Sequence, residues 1–325
     1  MRVLVTGGAG FIGFHVTRAL LAAGHSVTAV DAINDYYDPN LKLARLGEIG
    51  TRSDYRFAKA DIADEGALLA AAGSDRFQVI IHLAAQAGVR YADTNPGAYT
   101  RANLVGHANV LEFARHHAGL QHLIYASSSS VYGNDTKPPF AETAQADKPI
   151  SYYGATKRSC ELLSYSYASL YGLKQTGLRF FTVYGPWGRP DMAYWSFTDA
   201  ILHDRAIPVF GGGALRRDFT HVDDIVAAVV RMTEAPFLQA QNEAPHRIYN
   251  LGNSRPESVL DLIGHIERTT NRKAVLEYKG GPPGDVRETY ADISLASRDF
   301  GFAPKISLAT GITGFVSWFR HYHRL

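Results

Sequence analysis

A glycine-rich turn directly after the first apolar strand restricts the fold of this chain more than any other feature. Residues 3–6 are apolar or β-branched, residues 7–13 read GGAGFIG, and an amphipathic repeat with helical spacing follows. In a strand–turn–helix unit, such glycines permit a tight turn, a close approach of the backbone to a pyrophosphate, and anion binding at the helix N-terminus. The sequence therefore predicts a dinucleotide-binding βαβ unit at the start of the chain.

Short apolar strands alternate with longer helical stretches through the first half of the chain. The predicted strands are residues 3–6, 26–30, 55–58, 79–83, 122–127 and 175–181. This alternation is typical of a parallel sheet with helices on both faces. Further on, Gly and Pro become denser, although residues 217–233 and 246–251 are regular again. We expect an α/β fold with a doubly wound parallel sheet (Rossmann). It covers residues 1–178 with a return segment near 217–251, and a second, smaller α/β substrate domain, which is discontinuous, covers residues 179–325.

Composition excludes several classes of protein. The 325 residues include one cysteine, Cys160, so neither an internal disulfide nor a cysteine-based zinc site can form, and a reducing compartment is expected. The net charge of +2 comes without a long basic run, which argues against nucleic acid as a partner. The apolar runs are well short of the ~20 residues that span a bilayer. We expect a soluble, cytoplasmic protein with no membrane partner and no bound metal.

A carboxylate at the end of the second predicted strand indicates which dinucleotide is bound. Asp31 follows the glycines by about twenty residues, where it can accept hydrogen bonds from the adenosine ribose. Its charge would repel a 2′-phosphate, which favours NAD over NADP. Residues after the third and fourth strands lie where open α/β sheets bind ligands, and we assign them to adenine, phosphate or ribose. The candidate cofactor contacts are Gly7, Gly10, Phe11, Ile12, Gly13, Asp31, Asn34, Asp61, Ile62, Leu83, Ala84, Ala85, Gln86 and Ser127.

A tyrosine and a lysine supply the predicted acid–base chemistry. Tyr153 and Lys157 lie four residues apart in a predicted helix and therefore share one face. A free tyrosine has a pKa of about 10, so it is a poor base at neutral pH unless nearby positive charge favours the phenolate. Lys157 and an oxidised nicotinamide would supply that charge, and both side chains should contact the cofactor. The serines at 127–130 end the fifth strand, and the sequence leaves open which of them faces the reacting centre.

Several longer motifs resemble those of a known family. The glycine turn, Asp31, ASSSSVYG, Y-x-x-x-K, RFFTVYGPWGRPDM, RRDFTHVDD and PGDVRETYAD together resemble the extended short-chain dehydrogenase/reductase family from end to end. The narrower motifs INDYYDP and FFTVYGPWGRPDM resemble those of its UDP-glucuronate 4-epimerases. The resemblance implies that Ser128 joins the Tyr/Lys pair as a catalytic residue and that Asn103 supports the cofactor site. It also implies a homodimer packed through helices of the first domain.

The resemblance implies a mechanism in which the cofactor ends as it began. Tyr153 would take the proton of the sugar 4-hydroxyl while carbon 4 gives a hydride to tightly bound NAD, forming a 4-keto sugar. Return of the hydride to the other face would interconvert UDP-glucuronate and UDP-galacturonate. Arg217 corresponds to the family's diphosphate-binding arginine. Substrate contacts are expected at Ser128, Ser129, Thr182, Arg189, Arg217, Asp285 and Arg287.

A uronic acid substrate requires that the 4-keto intermediate keep its carboxylate. A β-keto carboxylate loses carbon dioxide when its carboxylate bond stands perpendicular to the ketone plane. A guanidinium can clamp a carboxylate bidentately and hold its orientation. Our hypothesis is that Arg189, together with the Thr182 hydroxyl, holds the carboxylate in this way.

Other activities stay open at this stage. The family's 4,6-dehydratases carry an Asp-Glu pair where this chain has Ser129 and Ser130, and its UDP-glucuronate decarboxylases carry a glutamate at the position of Ser130. The serines at these positions therefore disfavour both the dehydratase and the decarboxylase activity. A UDP-glucose/UDP-galactose 4-epimerase is the main alternative enzyme, disfavoured by Arg189 and by Thr182, which replaces an asparagine of those enzymes. A non-catalytic NAD-binding sensor on the same fold is the alternative from another class.

Overall fold

The structure is a computed structural model that describes residues 1–134, 137–238, 243–280 and 288–325. The chain divides into two units. Unit 1 contains Met1–Gly133, Gln145–Arg179 and Val226–Tyr249, and unit 2 contains Asn134–Ala144, Phe180–Ile225 and Asn250–Leu325. The domain bounds expected from the sequence stay a prediction.

Strands and helices alternate along the described residues. The strands are β1 (Arg2–Thr6), β2 (Ser26–Asp31), β3 (Tyr55–Lys59), β4 (Val79–His82), β5 (His122–Ser128), β6 (Gln175–Phe180), β7 (Thr182–Tyr184), β8 (Ala206–Phe210), β9 (Arg216–His221), β10 (His246–Leu251), β11 (Pro256–Ser258), β12 (Val275–Lys279) and β13 (Glu288–Thr289). The helices are α1 (Phe11–Ala22), α2 (Pro39–Ile49), α3 (Ala67–Ala72), α4 (Pro96–Tyr99), α5 (Gly106–His116), α6 (Tyr152–Tyr171), α7 (Ala193–Leu202), α8 (Val222–Glu234), α9 (Val259–Thr270), α10 (Ser294–Phe300) and α11 (Leu308–His323).

The strands of unit 1 form one sheet, whose order in the described part of the chain is β10-β6-β5-β4-β1-β2-β3. The neighbours from β3 through β1 to β5 are parallel. The six predicted strands are confirmed, each within one residue at either end. The strand order reverses between β1 and β4, and the carboxyl ends of strands at such a point form the crevice where open α/β sheets bind ligands. The predicted doubly wound sheet is therefore confirmed.

Both faces of the central strands are buried, which explains why those strands are mostly apolar. One buried cluster joins Leu4, Ile80 and Leu123 of three adjacent strands to Val110 and Leu111 of α5. Burial of each such side chain contributes roughly 1.5–3 kcal/mol to folding. Within the described residues, every helix is too short or too polar to cross a bilayer.

Unit 2 is built around β9. Strand β11 pairs antiparallel to β9, whereas β7 and β13 pair parallel to it, and β8 and β12 form a separate parallel pair. Helix α8 follows β9 directly, with Asp223 and Asp224 in its first turn, where acidic side chains suit the helix dipole. The regular pattern predicted for residues 217–233 therefore corresponds to a strand and a helix.

A buried carboxylate holds three parts of unit 2 together. Asp218 of β9 has no exposed surface. Its oxygens accept the backbone amides of Asn253 at 2.5 Å, Ser254 at 3.0 Å and Ala291 at 3.0 Å. Burial raises the pKa of the Asp218 carboxyl, although these amides oppose the change. Since Arg217 is its neighbour, this carboxylate also fixes the strand that carries a predicted substrate contact.

We expect Asp218→Asn to destabilise the protein. The substitution replaces one acceptor oxygen by an amino group that faces the amides of Ser254 and Ala291. Each buried amide left without an acceptor costs roughly 1–3 kcal/mol. Urea denaturation would measure the loss, with the exposed Asp204→Asn as the matched control. An unfolding midpoint equal to that of the unmodified protein would contradict this role for Asp218.

Candidate active site

The glycine turn between β1 and α1 has no room for side chains at three of its positions, one of which is Gly8, where a Cβ would lie 2.6 Å from the Ala29 Cβ. Gly7 has φ +73°, and a Cβ there would lie 2.6 Å from the Ala84 amide nitrogen. A Cβ at Gly13 would lie 2.0 Å from the Gly7 carbonyl oxygen. Gly10 is the N-cap residue of α1, and it offers no side-chain acceptor to the first amides of the helix. The start of α1, with Phe11 and Ile12, therefore presents backbone amides of the kind that bind phosphate.

Asp31, at the end of β2, lies in a denser network than the sequence indicated. One oxygen accepts the Ala9 amide at 3.2 Å, and the other accepts the Ile33 amide at 2.8 Å and the Lys42 ammonium at 3.2 Å. The Lys42 ammonium also donates to Asn34 at 2.8 Å. A carboxylate has about four acceptor positions. Three are filled here, and the remaining one suits a ribose hydroxyl.

Two cations beside Asp31 were not predicted from the sequence. Lys42 and Arg45 lie three residues apart on α2, and both are buried. The Arg45 guanidinium donates to the Ala9 carbonyl in the glycine turn at 2.9 Å and to the Tyr37 hydroxyl at 2.8 Å. Both cations lie over the Tyr37 ring. A basic pair at i, i+3 after the INDYYDP motif is the sequence signal that could have revealed them.

The residues after β3 divide between surface and core. Asp61 caps its own turn by accepting the Ala63 amide at 2.9 Å, and it pairs with Arg101 at 3.2 Å. The Ile62 side chain is buried in the core cluster under α5, and its carbonyl accepts the Asn109 amide group at 2.9 Å. Since the Ile62 side chain packs inward, only its backbone is placed to contact a cofactor. Asp61 stays a predicted adenine contact.

Asn103 links the segment after β4 to α6. Its side chain accepts the Gln86 amide at 2.8 Å and donates to the Gln86 carbonyl at 3.1 Å. It also donates to the Thr156 hydroxyl at 3.0 Å, and that hydroxyl donates to the Tyr153 carbonyl at 2.8 Å. Asn103 lies in a π-helical turn over residues 100–105, a local geometry often found at functional sites. Leu83, Ala84 and Ala85 lead from β4 to this link and are partly exposed.

The serines at the end of β5 have different surroundings. The Ser127 hydroxyl is buried and donates to Glu161 at 2.6 Å, so it is not directed at a cofactor, and only its backbone stays a predicted cofactor contact. The Ser128 hydroxyl accepts the Ser130 amide at 3.1 Å and begins a 3₁₀ turn over Ser129–Tyr132. Its own proton is therefore available to a reacting oxygen. Ser129 is partly exposed in the same turn.

Helix α6 packs its first turn against this serine turn. A Cβ at Gly154 would lie 2.5 Å from the Ser130 carbonyl oxygen, so glycine permits the close approach. The Lys157 ammonium donates to the Ala126 carbonyl of β5 at 3.0 Å. The partly buried Tyr153 ring meets the buried Tyr99 ring edge-on, with centroids 6.1 Å apart. The structure thus brings the predicted tyrosine, lysine and serines to one strand end.

The histidines behind Lys157 add no charge to this place. The rings of His82 and His107 stack with centroids 5.2 Å apart. Burial, followed by electrostatic interaction with His107 and Lys157, lowers the pKa of His82 well below its ordinary value. Burial and then Lys157 lower the pKa of His107 to about 3. Both rings are therefore neutral near pH 7, and Lys157 supplies the positive charge. In the described part of the chain, no group of His, Cys, Asp and Glu side chains could hold a metal ion.

Three of the predicted substrate residues, Thr182, Arg189 and Arg217, lie in unit 2. Thr182 of β7 is in register with Phe219 of β9, two residues beyond Arg217. Because register partners and alternate residues share a sheet face, Thr182 and Arg217 point to the same side. Arg189 is partly buried, and its guanidinium pairs with Asp191 at 3.0 Å. Asp285 and Arg287 lie outside the described residues.

The chain is similar to known proteins over its whole length. The model of the NAD dependent epimerase/dehydratase family matches residues 3–252. A probable UDP-glucuronate 4-epimerase of Rhizobium meliloti is 43% identical over 100% of this chain and 98% of its own. UDP-glucuronate 4-epimerase 2 of Arabidopsis thaliana is 44% identical over 99% of this chain and 76% of its own. The crystal structure of UDP-glucuronic acid 4-epimerase from Bacillus cereus, in complex with UDP-glucuronic acid and NAD, has a TM-score of 0.90 and 32% identity, and the match covers 99% of this chain and 100% of that one.

Proposed function

The chain belongs to the NAD-dependent epimerase/dehydratase family, and we propose that it is an isomerase that interconverts UDP-glucuronate and UDP-galacturonate with bound NAD. The observation that carries the proposal is the packing of α6 on the serine turn, with Gly154 against Ser130 and Lys157 on the carbonyl of Ala126. It places Tyr153 and Ser128 at the end of β5, in the unit that also contains the glycine turn. The similarity to UDP-glucuronate 4-epimerases supports this substrate.

The residues around the glycine turn fit NAD. The backbone amides at the start of α1 suit the pyrophosphate, and Gly7 and Gly13 leave no side chain in its way. Asp31 keeps one acceptor position for a ribose hydroxyl, and Lys42 has three donors of which two are used. When bound, NAD supplies the hydride acceptor and donor for carbon 4 of the sugar.

The protein's own groups move the proton. We assign the Tyr153 phenol to take the proton of the sugar 4-hydroxyl and to return it after the sugar has presented its other face. The Ser128 hydroxyl donates to the same sugar oxygen. The Lys157 ammonium donates one of its three N–H groups to the Ala126 carbonyl. Its charge stabilises the phenolate. His82 and His107 are neutral and therefore add nothing to the charge of Lys157 and of the oxidised nicotinamide.

The other residues that the sequence singled out are proposed to bind the substrate. Arg217 and Thr182, on one face of neighbouring strands, are proposed to bind the diphosphate and the sugar carboxylate, respectively. Ser129 is proposed as a further contact, and Asp285 and Arg287 stay predicted nucleotide contacts. Arg189 is the proposed clamp on the carboxylate, which would hold that group away from the orientation that loses carbon dioxide.

A direct assay tests the function. Purified protein is incubated, without added cofactor, with UDP-glucuronate and in a separate sample with UDP-glucose, and the products are followed by proton NMR. The UDP-glucuronate sample should show UDP-galacturonate. A UDP-pentose would instead indicate a decarboxylase, and turnover of UDP-glucose alone would indicate the UDP-glucose/UDP-galactose epimerase. An unchanged spectrum with each sugar nucleotide would leave a non-catalytic NAD-binding protein and refute the proposal.

Removal of the proposed clamp should release the reaction that it suppresses. We expect Arg189→Ala to lower epimerisation about tenfold or more, since lost charged hydrogen bonds are worth roughly 1.5–3 kcal/mol. The fraction of product that appears as UDP-pentose and carbon dioxide should rise. Product NMR measures both. As the control, Arg298→Ala removes an exposed arginine that likewise pairs with a nearby acid, Asp299, and should change neither. Unchanged turnover and unchanged carbon dioxide release in Arg189→Ala would end the clamp hypothesis.

The cofactor preference should depend on the buried pair of Asp31 and Lys42. We expect NAD to bind more tightly than NADP. Asp31→Asn should reduce the ratio of the Kd for NADP to the Kd for NAD by about tenfold or more. The substitution removes the charge that repels a 2′-phosphate and leaves the Lys42 ammonium without its counter-charge. Calorimetric titration with both dinucleotides measures the change. Asp64→Asn, which removes an exposed acid paired with Arg101, is the control and should preserve the preference.

The assembly and compartment belong to the same proposal. We propose a homodimer packed through helices of the first domain, supported by exposed apolar side chains on α6 at Leu162, Tyr165 and Leu170. Light scattering coupled to size-exclusion chromatography tests this, and Leu162→Glu should shift a dimer toward monomer. We also propose a cytoplasmic location, which suits the free and buried thiol of Cys160.

A further inference from the structure

We propose that Glu161 is a positioning residue, which fixes the strand end that carries Ser128 against the helix that carries Tyr153, with Arg179 as its permanent counter-charge. The inference rests on the proposed function, because it takes Ser128 and Tyr153 as the reacting side chains. Glu161 itself lies behind the site and would act through the residues that it holds.

Glu161 extends the spacing of the catalytic pair by one helical turn. Tyr153, Lys157 and Glu161 follow one another at intervals of four residues in α6 and therefore lie along one face. Lys157 is 4% exposed and Glu161 is 2% exposed. The face that carries the reacting phenol thus continues into the interior as two buried charges of opposite sign.

Both buried charges bind the end of β5. The Lys157 ammonium donates to the carbonyl of Ala126 at 3.0 Å, and the Ser127 hydroxyl donates to a Glu161 oxygen at 2.6 Å. Two consecutive residues of the strand are therefore bonded to the same helix, directly before Ser128. A shift of the strand end relative to the helix would have to break both bonds.

Arg179 holds the chain on the other side of Ser128. This arginine, near the end of β6, binds both Glu161 oxygens, at 2.8 and 2.9 Å. Its guanidinium also lies over the ring of Tyr132, 4.7 Å from the centroid. Tyr132 ends the turn that begins after Ser128. The ion pair therefore contacts the chain on both sides of Ser128, through Ser127 before it and Tyr132 after it.

The Glu161 carboxylate is held by hydrogen bonds on both of its oxygens. One oxygen accepts Ser127 and Arg179, and the other accepts Arg179 and Arg158, the last at 3.0 Å. These bonds fill the four acceptor positions of a carboxylate. Buried ion pairs generally stabilise a fold no better than apolar residues of similar volume. A fully bonded pair at this place is better explained by the geometry that it imposes on the strand end.

The test separates positioning from folding. Glu161→Gln and Ser127→Ala are compared with the unmodified protein by steady-state epimerisation of UDP-glucuronate, normalised to bound NAD. We expect kcat to fall on the order of 100-fold in Glu161→Gln, because small misplacements of reacting groups have effects of that size. Ser127→Ala, which leaves the ion pair intact, should lower kcat by about tenfold. KM should change by less than about threefold in both, since Arg217, Thr182 and Arg189, the proposed contacts to the diphosphate and the carboxylate, are untouched.

Ser164→Ala is the matched control. Ser164 is buried on the same helix, and its hydroxyl bonds His107 of α5 at 2.9 Å and not the serine turn. Its kcat should stay within about twofold of the unmodified value. Should Glu161→Gln fail to fold, Ser127→Ala decides the matter. The inference is overturned if Ser127→Ala keeps its kcat, if its loss equals that of Ser164→Ala, or if only KM changes. An unmodified protein that inverts no UDP-sugar would instead refute the proposed function.

Discussion

Replacing Tyr153 by phenylalanine should lower the kcat for UDP-glucuronate epimerisation by about two to four orders of magnitude, the usual contribution of a positioned acid–base group. The substitution removes only the hydroxyl. The phenylalanine ring can keep the edge-on contact with Tyr99, and Lys157 keeps its bond to Ala126. The loss should therefore fall on kcat, whereas the NAD content and the unfolding midpoint should stay close to those of the unmodified protein.

The neighbouring tyrosine provides the control for this experiment. Tyr152 is 43% exposed, and its hydroxyl bonds that of Thr100 at 2.5 Å. Tyr152→Phe removes the same atom one residue away, on another face of α6, and should leave kcat unchanged. Rates are measured by product NMR on protein of known NAD content. If Tyr153→Phe formed UDP-galacturonate at full speed, another group would have to move the proton, and the proposed mechanism would be wrong.

The strands and the glycine turn could be predicted from the sequence because their causes are local. Central strands of a parallel sheet are buried on both faces, so the predicted strands consist mostly of apolar residues, as in residues 3–6 and 79–83. Gly7 and Gly13 are required by backbone atoms a few residues away or on the next strand. The predicted pair of Tyr153 and Lys157 was also accessible, since four residues on a helix define one face.

The partners of the predicted residues were not accessible in the same way. Lys42 meets Asp31 only because α2 folds back over the glycine turn, and nothing in the spacing of the two residues requires it. The sequence placed Ser127 toward the cofactor, whereas its hydroxyl bonds Glu161, thirty-four residues later. Such pairings depend on how whole elements pack. Periodicity reveals that a residue is buried, but it does not reveal which distant side chain satisfies it.

The pair of Glu161 and Arg179 should also show how strongly a half-broken buried ion pair destabilises the fold. Arg179→Met leaves a carboxylate that is 2% exposed facing only the partly exposed Arg158 and a hydroxyl. Removal of one partner of a buried pair typically costs about 3–5 kcal/mol of unfolding free energy. The double variant Glu161→Met with Arg179→Met removes both charges and should recover most of that loss. Urea denaturation of the two single variants and the double variant completes the cycle.

The pH dependence of the unfolding free energy tests whether Arg179 stabilises the fold through its charge. Burial opposes ionisation of Glu161, but Arg179 overcomes this opposition, with Ser127 and Arg158, and lowers the pKa of the carboxyl. A group whose pKa is lowered by folding adds stability above its unfolded pKa of about 4.3, and that stability is lost as the pH falls through the folded pKa. Below about pH 4, the unmodified protein should therefore lose part of its advantage over the double variant. In Arg179→Met, burial acts with far less opposition and favours the protonated acid, so its deficit should shrink as the pH falls. A deficit that stays constant with pH would show that Arg179 stabilises the fold by packing alone and not by its charge on Glu161.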